Sequence, residues 1–368
     1  MSDVWPARLA IVGTGLLGGS VGLAARAAGV PEVAGYDADE RESGHALDVG
    51  AITEQAASVE AAAEGADLVL AATPVRALGP ALIAAAPAAP EAVLSDVGGT
   101  KSHLLTELAK AGVGLGRVVP GHPMAGSEER GARAARADLF HHAAWALTPD
   151  PQVDHLALRR MTTFVRELGG RPLVLDAELH DRVVAYASHL PQLAATAVMG
   201  SVTEVEAPAA LRSLIATGFR DTTRIAASDP DLWVDICTTN ADAILAALDE
   251  LAARLGELRG LVAAGDPAGL RHVLDEARKA RRKIPAKPGV PGSLREVVVH
   301  VADRPGSIAG VTAALGAAGV NVEDIAVDHE LQGGGGALRV WVAGRRQAAV
   351  AVAVLADAGW PAHEADLG

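Results

Sequence analysis

The chain holds one cysteine, Cys237, in 368 residues, which excludes an internal disulfide and fits a reducing compartment. Aromatic residues are scarce, at 3% of the total, and alanine fills most apolar positions instead. Such small side chains predict helix-rich, finely packed cores. Long hydrophobic runs are missing as well: no window approaches the ~18 uninterrupted apolar residues of a membrane span. The first residues pass straight into a strand pattern, so no signal peptide is read and a cytoplasmic protein is expected. Positive charge is in deficit. Lysine and arginine number 32 against 45 acids, and the net charge of −13 argues against nucleic acid and anionic membranes as partners. An anionic small molecule is still allowed, because a few local arginines invert the field around them. No metal centre is expected.

What is present is a globular chain, 50% hydrophobic and too long for one core, so two or three domains are expected. Arg8 to Val12 reads as a short buried strand, followed by a glycine turn and by helical apolar spacing from Leu16 to Ala28. Further strands are read at Glu32 to Tyr36, Asp67 to Ala71 and Ala92 to Asp96, with alanine-rich helices between them. Strands alternating with helices imply right-handed crossovers and a parallel sheet. Val118 to Pro120 and Trp145 to Thr148 read as later strands of that same layer.

From Glu178 to Lys283 nearly everything reads as helix, with breaks at Pro191, Pro208, Pro230 and Pro267. A helical block of this size after a nucleotide-binding domain usually packs as a dimer core, so a homodimer is expected. Pro285, Pro288, Gly289, Pro291 and Gly292 then mark a linker. The tail follows the order strand, helix, strand, strand, helix, strand. Its strands are placed at Val297 to Val301, Val320 to Val327 and Leu338 to Val342, the last two joined by a turn at Gly333 to Gly336. Its helices are placed at Ile308 to Ala318, closed by Gly319, and at Gln347 to Ala358. The expected domains are 1–176 (dinucleotide-binding), 177–284 (helical), a linker at 285–293, and 294–368.

Gly13-Thr14-Gly15-Leu16-Leu17-Gly18 has the spacing of a dinucleotide fingerprint. Gly13 makes the turn, Gly15 lets backbone approach a pyrophosphate, and Gly18 allows close helix–strand packing. The helix N-terminus then faces the phosphates. Asp37, at the end of the second strand, suits a ribose diol and repels a 2′-phosphate, with Asp39 and Glu40 adding to the repulsion. NAD is therefore expected over NADP, with Thr73 and Pro74 beyond the next strand completing the pocket. Lys101 reads as either an exposed helix-start cation or an element of the cofactor or substrate pocket.

The segment VPGHPMAGSEERG, residues 119–131, sets His122 in a Gly-His-Pro turn. A histidine on such a loop is well placed to meet a nicotinamide ring. Together with the glycine turn and with GFRDTTRIAASDPDLW at 218–233, it resembles the prephenate/arogenate dehydrogenase family of tyrosine biosynthesis. DRPGSIAGVTAALGAAGVNVEDI, residues 303–325, resembles the start of an ACT domain, the ferredoxin-like module that senses amino acids.

The resemblance implies an α/β fold of three parts: a Rossmann-type domain, an all-helical dimerisation domain and an ACT domain. It also implies NAD-dependent oxidative decarboxylation, of prephenate to 4-hydroxyphenylpyruvate or of arogenate to tyrosine. His122 is the implied base at the substrate hydroxyl, a role typically worth ~10²–10⁴-fold in rate. Arg224 is implied to clamp the ring carboxylate, since a guanidinium fork matches a carboxylate bidentately. Trp233, His180 and His189 are implied to line the substrate site, with Glu128 either gating access or standing as a solvated surface acid.

Two departures from the family pattern stand out. Where members often carry D-x-G-S-x-K, this chain has Gly99 in place of the serine, leaving Thr100 or water to supply a hydroxyl. Where many prephenate-using members have S-H-L-P-H, Gln192 follows Pro191. A glutamine amide can donate to the keto group of prephenate or accept from the ammonium of arogenate. In the tail, Asp303, Pro305, Gly306, Ser307 and Asn321 are the implied seat of an aromatic amino-acid effector, tyrosine first. A reading from a different class is a catalytically inactive amino-acid sensor.

Overall fold

The structure, a computed structural model, describes residues 5–126, 129–203, 214–284, 294–302, 304–329 and 335–365. It divides into two compact units, Met1–Glu257 and Leu258–Gly368, parting inside the long helix Ala241–Ala264.

In the first unit, β1 (Arg8–Val12) lies at the centre of a parallel sheet with β2 (Glu32–Tyr36), β3 (Glu54–Gln55), β4 (Leu68–Ala71) and β5 (Val93–Asp96). The strand order is β3-β2-β1-β4-β5. Leu9, Ile11, Leu68 and Leu70 face one apolar layer and Ala10, Val12, Val69 and Ala71 the other. Burial on both faces is what continuous apolar strands require. Small residues let the helices lie close. A Cβ at Gly18 would collide with the carbonyl of Gly13, and one at Gly22 with that of Ala51. The scarcity of aromatics is thus a packing solution as well as a compositional fact.

The chain leaves this sheet at Pro120. Val118 makes only an isolated parallel bridge to Leu94, and the expected strand Val118 to Pro120 does not form. Proline has no N–H to continue a ladder, so the chain pairs elsewhere. The next strands, β6 (Gly121–Pro123), β7 (Ala144–Leu147) and β8 (Arg171–Val174), build a separate three-stranded sheet in the order β6-β7-β8. The expected strand Trp145 to Thr148 is β7, one residue earlier and outside the parallel layer. His122 sits in β6 rather than in a turn, and β3 and β8 were not foreseen.

The helical block opens with helix Ala177–Val184, widens into a π-helical turn at Ala185–His189, and continues as helix Leu190–Thr203. Pro191 therefore does not break the helix. It falls in the first turn after the π segment, where the missing N–H costs little. Pro230 and Pro267 do start helices, Pro230–Thr239 and Pro267–Lys283, each behind an aspartate cap. Pro208 lies outside the described residues. Among the described residues no helix is long and apolar enough to cross a membrane.

In the second unit, β9 (Leu294–Ala302), β10 (Val322–His329), β11 (Gly335–Ala343) and β12 (Ala362–Glu364) form an antiparallel sheet ordered β10-β11-β9-β12. Helices Ser307–Ala317 and Gly344–Asp357 pack on a core of Val297, Val299, Val311, Leu315, Leu338, Val340 and Leu355. The element order is the one expected. Gly319 adopts a φ of 71° past the helix end and delays the next strand to Val322. Gly335 and Gly336, expected in the turn, belong to the ladder instead, Gly336 opposite His329, and Gly333 lies outside the described residues. The last helix begins three residues before Gln347, and the expected linker 285–293 lies outside the described residues.

Candidate active site

The glycine turn follows β1 directly. The Gly13 amide donates to the Tyr36 carbonyl at 2.8 Å, and its φ of 92° with Ala72 O pressed against the missing Cβ position leaves no alternative residue. The Thr14 amide donates to Asp37 Oδ2 at 2.7 Å, which fixes the acid at the mouth of the turn. A Cβ on Gly15 would meet nothing within 4 Å, so that position faces open space. The space is a cavity of about 620 Å³ lined by Gly13, Gly15, Asp37, Thr73 and Pro74 among others. Leu16 and Leu17 open the helix beside it. These residues fit a dinucleotide: an open glycine, a helix N-terminus for phosphate, and an acid with lone pairs left for a diol.

A second constellation gathers at β6 and just past the end of β5. His122 Nδ1 is 2.9 Å from His180 Nε2, and His180 Nδ1 is 2.8 Å from Asp181 Oδ1. Asp181 also accepts from the backbone amides of Lys101, at 2.9 Å, and Ser102, at 2.8 Å. Those amides belong to the N-terminus of helix Ser102–Lys110, where intrahelical partners are missing. The order of donors assigns the tautomers. A carboxylate accepts only, so His180 carries its proton on Nδ1 and must accept at Nε2. His122 then donates from Nδ1, and its Nε2 is left with a lone pair.

Electrostatics keep that lone pair available. The His122 imidazole is held well below its ordinary pKa by burial, then by the Lys101 charge and the histidines around it. His189 is pushed down to about 4 by burial and by His180, against the pull of Asp181. Burial works to raise Asp181, but the His180 hydrogen bond and the amides of Ser102 and Lys101 outweigh it and hold the carboxyl below its usual range.

Several expected residues join this network and others do not. His180, His189 and Gln192 are all buried. His189 Nδ1 lies 3.3 Å from Asn240 Nδ2, which also donates to the Asp181 carbonyl. Trp233 stands edge-on to His189 at 5.9 Å, and its indole N–H is buried without a partner among the described residues. Thr100 is buried, but its hydroxyl meets that of Thr239 at 3.0 Å. Gly99 is the residue facing His122: a Cβ there would stand 3.9 Å from His122 Nε2. Lys101 is neither an exposed helix-start cation nor a lining residue. It is fully enclosed, paired with Asp96, and donates to the Gly121 carbonyl.

Arg224 begins a short 3-10 turn, Arg224–Ala227, and is exposed. Glu128 lies outside the described residues. In the second unit Pro305 and Gly306 are exposed, Ser307 Oγ donates to Ala302 O at 2.8 Å, and Asn321 Nδ2 donates to Glu323 Oε1 at 2.6 Å. Asp303 lies outside the described residues.

Sequence reasoning missed Asp181, Asp96 and Asn240. Asp181 was hidden by its place beside His180, because neighbouring residues on a helix seldom face each other. Only the burial of both, and amides arriving from another helix, turn them onto one line.

The fold and the site together are those of a two-domain dehydrogenase with a third, ferredoxin-like module. Residues 21–174 match the nucleotide-binding domain of prephenate dehydrogenase, 176–276 its dimerization domain, and 295–359 the ACT domain. The chain is 30% identical to the prephenate dehydrogenase of Bacillus subtilis over 90% of each chain. It is 37% identical to the cyclohexadienyl dehydrogenase of Zymomonas mobilis, over 74% of this chain and 94% of that one. A crystal structure of prephenate dehydrogenase from A. aeolicus, in complex with hydroxyphenyl propionate and NAD+, superposes with a TM-score of 0.72 at 29% identity. It covers 77% of this chain and 100% of that one. The chain belongs to the prephenate dehydrogenase family.

Proposed function

We propose that this protein is a cytoplasmic, homodimeric, NAD-dependent prephenate dehydrogenase that converts prephenate to 4-hydroxyphenylpyruvate and CO2, with aromatic amino acids acting on its ACT domain. One observation carries the chemistry: the Asp181–His180–His122 chain leaves His122 Nε2 as an oriented, neutral acceptor within the dinucleotide-binding domain. NAD, when bound, supplies the hydride acceptor. His122 Nε2 takes the proton of the ring hydroxyl as the C4–H bond breaks, and the C1 carboxylate departs as CO2 to aromatise the ring. The imidazolium formed is stabilised through His180 by the Asp181 carboxylate, the logic of a base oriented by a third group.

Around that centre, Arg224 is assigned to the ring carboxylate, and His189, Gln192 and Trp233 to the rest of the substrate. The buried, unpartnered Trp233 N–H supports a polar ligand group beside His189. Gly99 leaves a gap next to His122 Nε2 that a water can fill where a serine would otherwise reach. Glu128 is assigned to the site's entrance. Asp37, with Gly13, Thr14, Gly15, Leu16, Leu17, Gly18, Thr73 and Pro74, is assigned to NAD. The catalytic part spans 1–284, and 294–368 is the sensor, with Asp303 to Ser307 and Asn321 as its ligand seat.

Purified protein assayed by absorbance of the reduced cofactor, with prephenate or arogenate and NAD or NADP, tests the reading. Turnover of prephenate with NAD, far above that with NADP, is expected. Equal efficiency with both cofactors would overturn the role of Asp37, and turnover of arogenate alone would move the substrate assignment to that amino acid.

A further inference from the structure

We propose that the buried pair Asp96–Lys101 is a positioning clamp for His122, setting both the place and the proton affinity of the base. The inference rests on the role given to His122 above. The pair grips Gly121, the residue just before that histidine, through both of its backbone polar groups: the Gly121 amide donates to Asp96 Oδ1 at 3.1 Å, and the Gly121 carbonyl accepts from Lys101 Nζ at 2.7 Å. Gly121 itself admits no side chain, since a Cβ there would stand 2.7 Å from Trp145 Nε1 and 2.8 Å from the Asp96 carbonyl. Lys101 holds the imidazole from the other side as well. Its backbone amide binds Asp181, and Asp181 orients His180, which orients His122. One residue thus ties the backbone of the base to its ring.

Both side chains are fully enclosed. Asp96 receives the amides of Gly98 and Gly121 and the ammonium of Lys101, three donors that suit a carboxylate and not a neutral acid. Exchanging a buried ion pair for apolar residues of similar volume is often neutral or stabilising, so fold stability gives little reason to bury this one. Its reason lies in what it faces. The charged and titratable groups around His122 are Lys101 beyond β5, His180 and Asp181 on helix Ala177–Val184, and His189 at the end of the π turn. Burial pulls the Lys101 ammonium below its ordinary range, and its pairing with Asp96 acts against that, making it the cation that the pair presents to His122.

The test pairs Lys101→Met with the double variant Asp96→Asn/Lys101→Met. The single variant strands a carboxylate and can lose the fold, whereas the double variant removes both charges and is expected to keep it. His122 is followed by NMR of histidine-labelled protein, assigned from the signal lost in His122→Asn, alongside kcat, KM and the pH profile with prephenate. Without the Lys101 charge, the His122 titration is expected to move up. The acid limb of kcat/KM should move with it. Misplacement of the base lowers kcat on the order of ten- to a hundredfold while KM stays near wild type. The proposal is overturned if the double variant fails to fold, if its His122 titration is unmoved, or if its kcat equals wild type. If the unaltered protein does not turn over prephenate, the functional reading fails on its own, and the NMR titration still decides the clamp.

Discussion

At the scale of single residues, the proposed base His122, supported by His180 and Asp181, sets the pH range in which the proposed chemistry is expected. A neutral His122 is needed, and its depressed pKa means that protonation begins only below the ordinary value near 6.5. The kcat/KM profile should therefore stay level from pH 8 to about 6.5 and fall only on the acid side. An acid limb centred above 7 would show that another group titrates. Replacing His122 with asparagine should lower kcat by about two orders of magnitude or more, with NAD affinity measured by calorimetry little changed. A His122→Asn enzyme of normal kcat would return the histidine to a structural role.

At the scale of elements, the glycine turn separates two kinds of requirement. Gly18 is filled by its own surroundings, since a Cβ there collides with the carbonyl of Gly13. Gly15 meets nothing within 4 Å, so the protein itself tolerates a methyl group there. Gly15→Ala should keep the thermal midpoint near wild type and lose most NAD affinity, while Gly18→Ala should lose both. If Gly15→Ala binds NAD normally, the pyrophosphate does not lie against that backbone.

The same contrast decides what the sequence could tell. Periodic strands, the glycine turn and the order of the ferredoxin-like tail were legible because local pattern alone determines them. The departure of the chain at Pro120 into a second sheet was not, because it depends on which partner strand is nearest in space. Likewise Pro191 looks like a break until the π turn before it is seen. His122, His180 and His189 were legible as candidates, and the structure brings His122 onto His180, with His189 reaching the same Asp181 through Asn240. The order of hydrogen bonds through Asp181 was not legible, since it joins segments about 60 to 80 positions apart, and the enclosure of Lys101 was not, since it depends on the fold around β5 and β6.

At the scale of the molecule, the buried neutral histidines make the protein sensitive to acid. His122 and His189 bind protons less readily folded than unfolded, the latter falling to about 4. Between that value and the unfolded pKa near 6.5 the unfolded chain takes up more protons, so stability falls as pH is lowered through this window. Thermal midpoints measured from pH 7 to pH 4 should drop, and His189→Phe should lessen the drop; an unchanged slope would place the acid sensitivity elsewhere.

The tail is expected to regulate rather than to catalyse. Truncation after Ala286 should leave prephenate turnover largely intact and abolish the non-competitive part of tyrosine inhibition, because an effector acts only through unequal affinity for two states. Identical responses of full-length and truncated enzyme to tyrosine, phenylalanine and tryptophan would remove the sensor role.

Asp181 belongs to the helical block, yet two of its hydrogen bonds come from amides of the nucleotide-binding domain. The proton on His122, which belongs to that first domain, is therefore placed by a residue of the second. The nitrogen proposed as the base is oriented only where both domains are present, since the residue that fixes its tautomer lies in the second. A fragment ending at Asp176 would keep the cavity beside Gly15 but lose the acceptor for the His122 Nδ1 proton, and its imidazole should exchange freely between tautomers. Nitrogen chemical shifts of His122 in that fragment, set against the full chain, would register the exchange, and a single fixed tautomer in both would mean the loop orients the ring unaided.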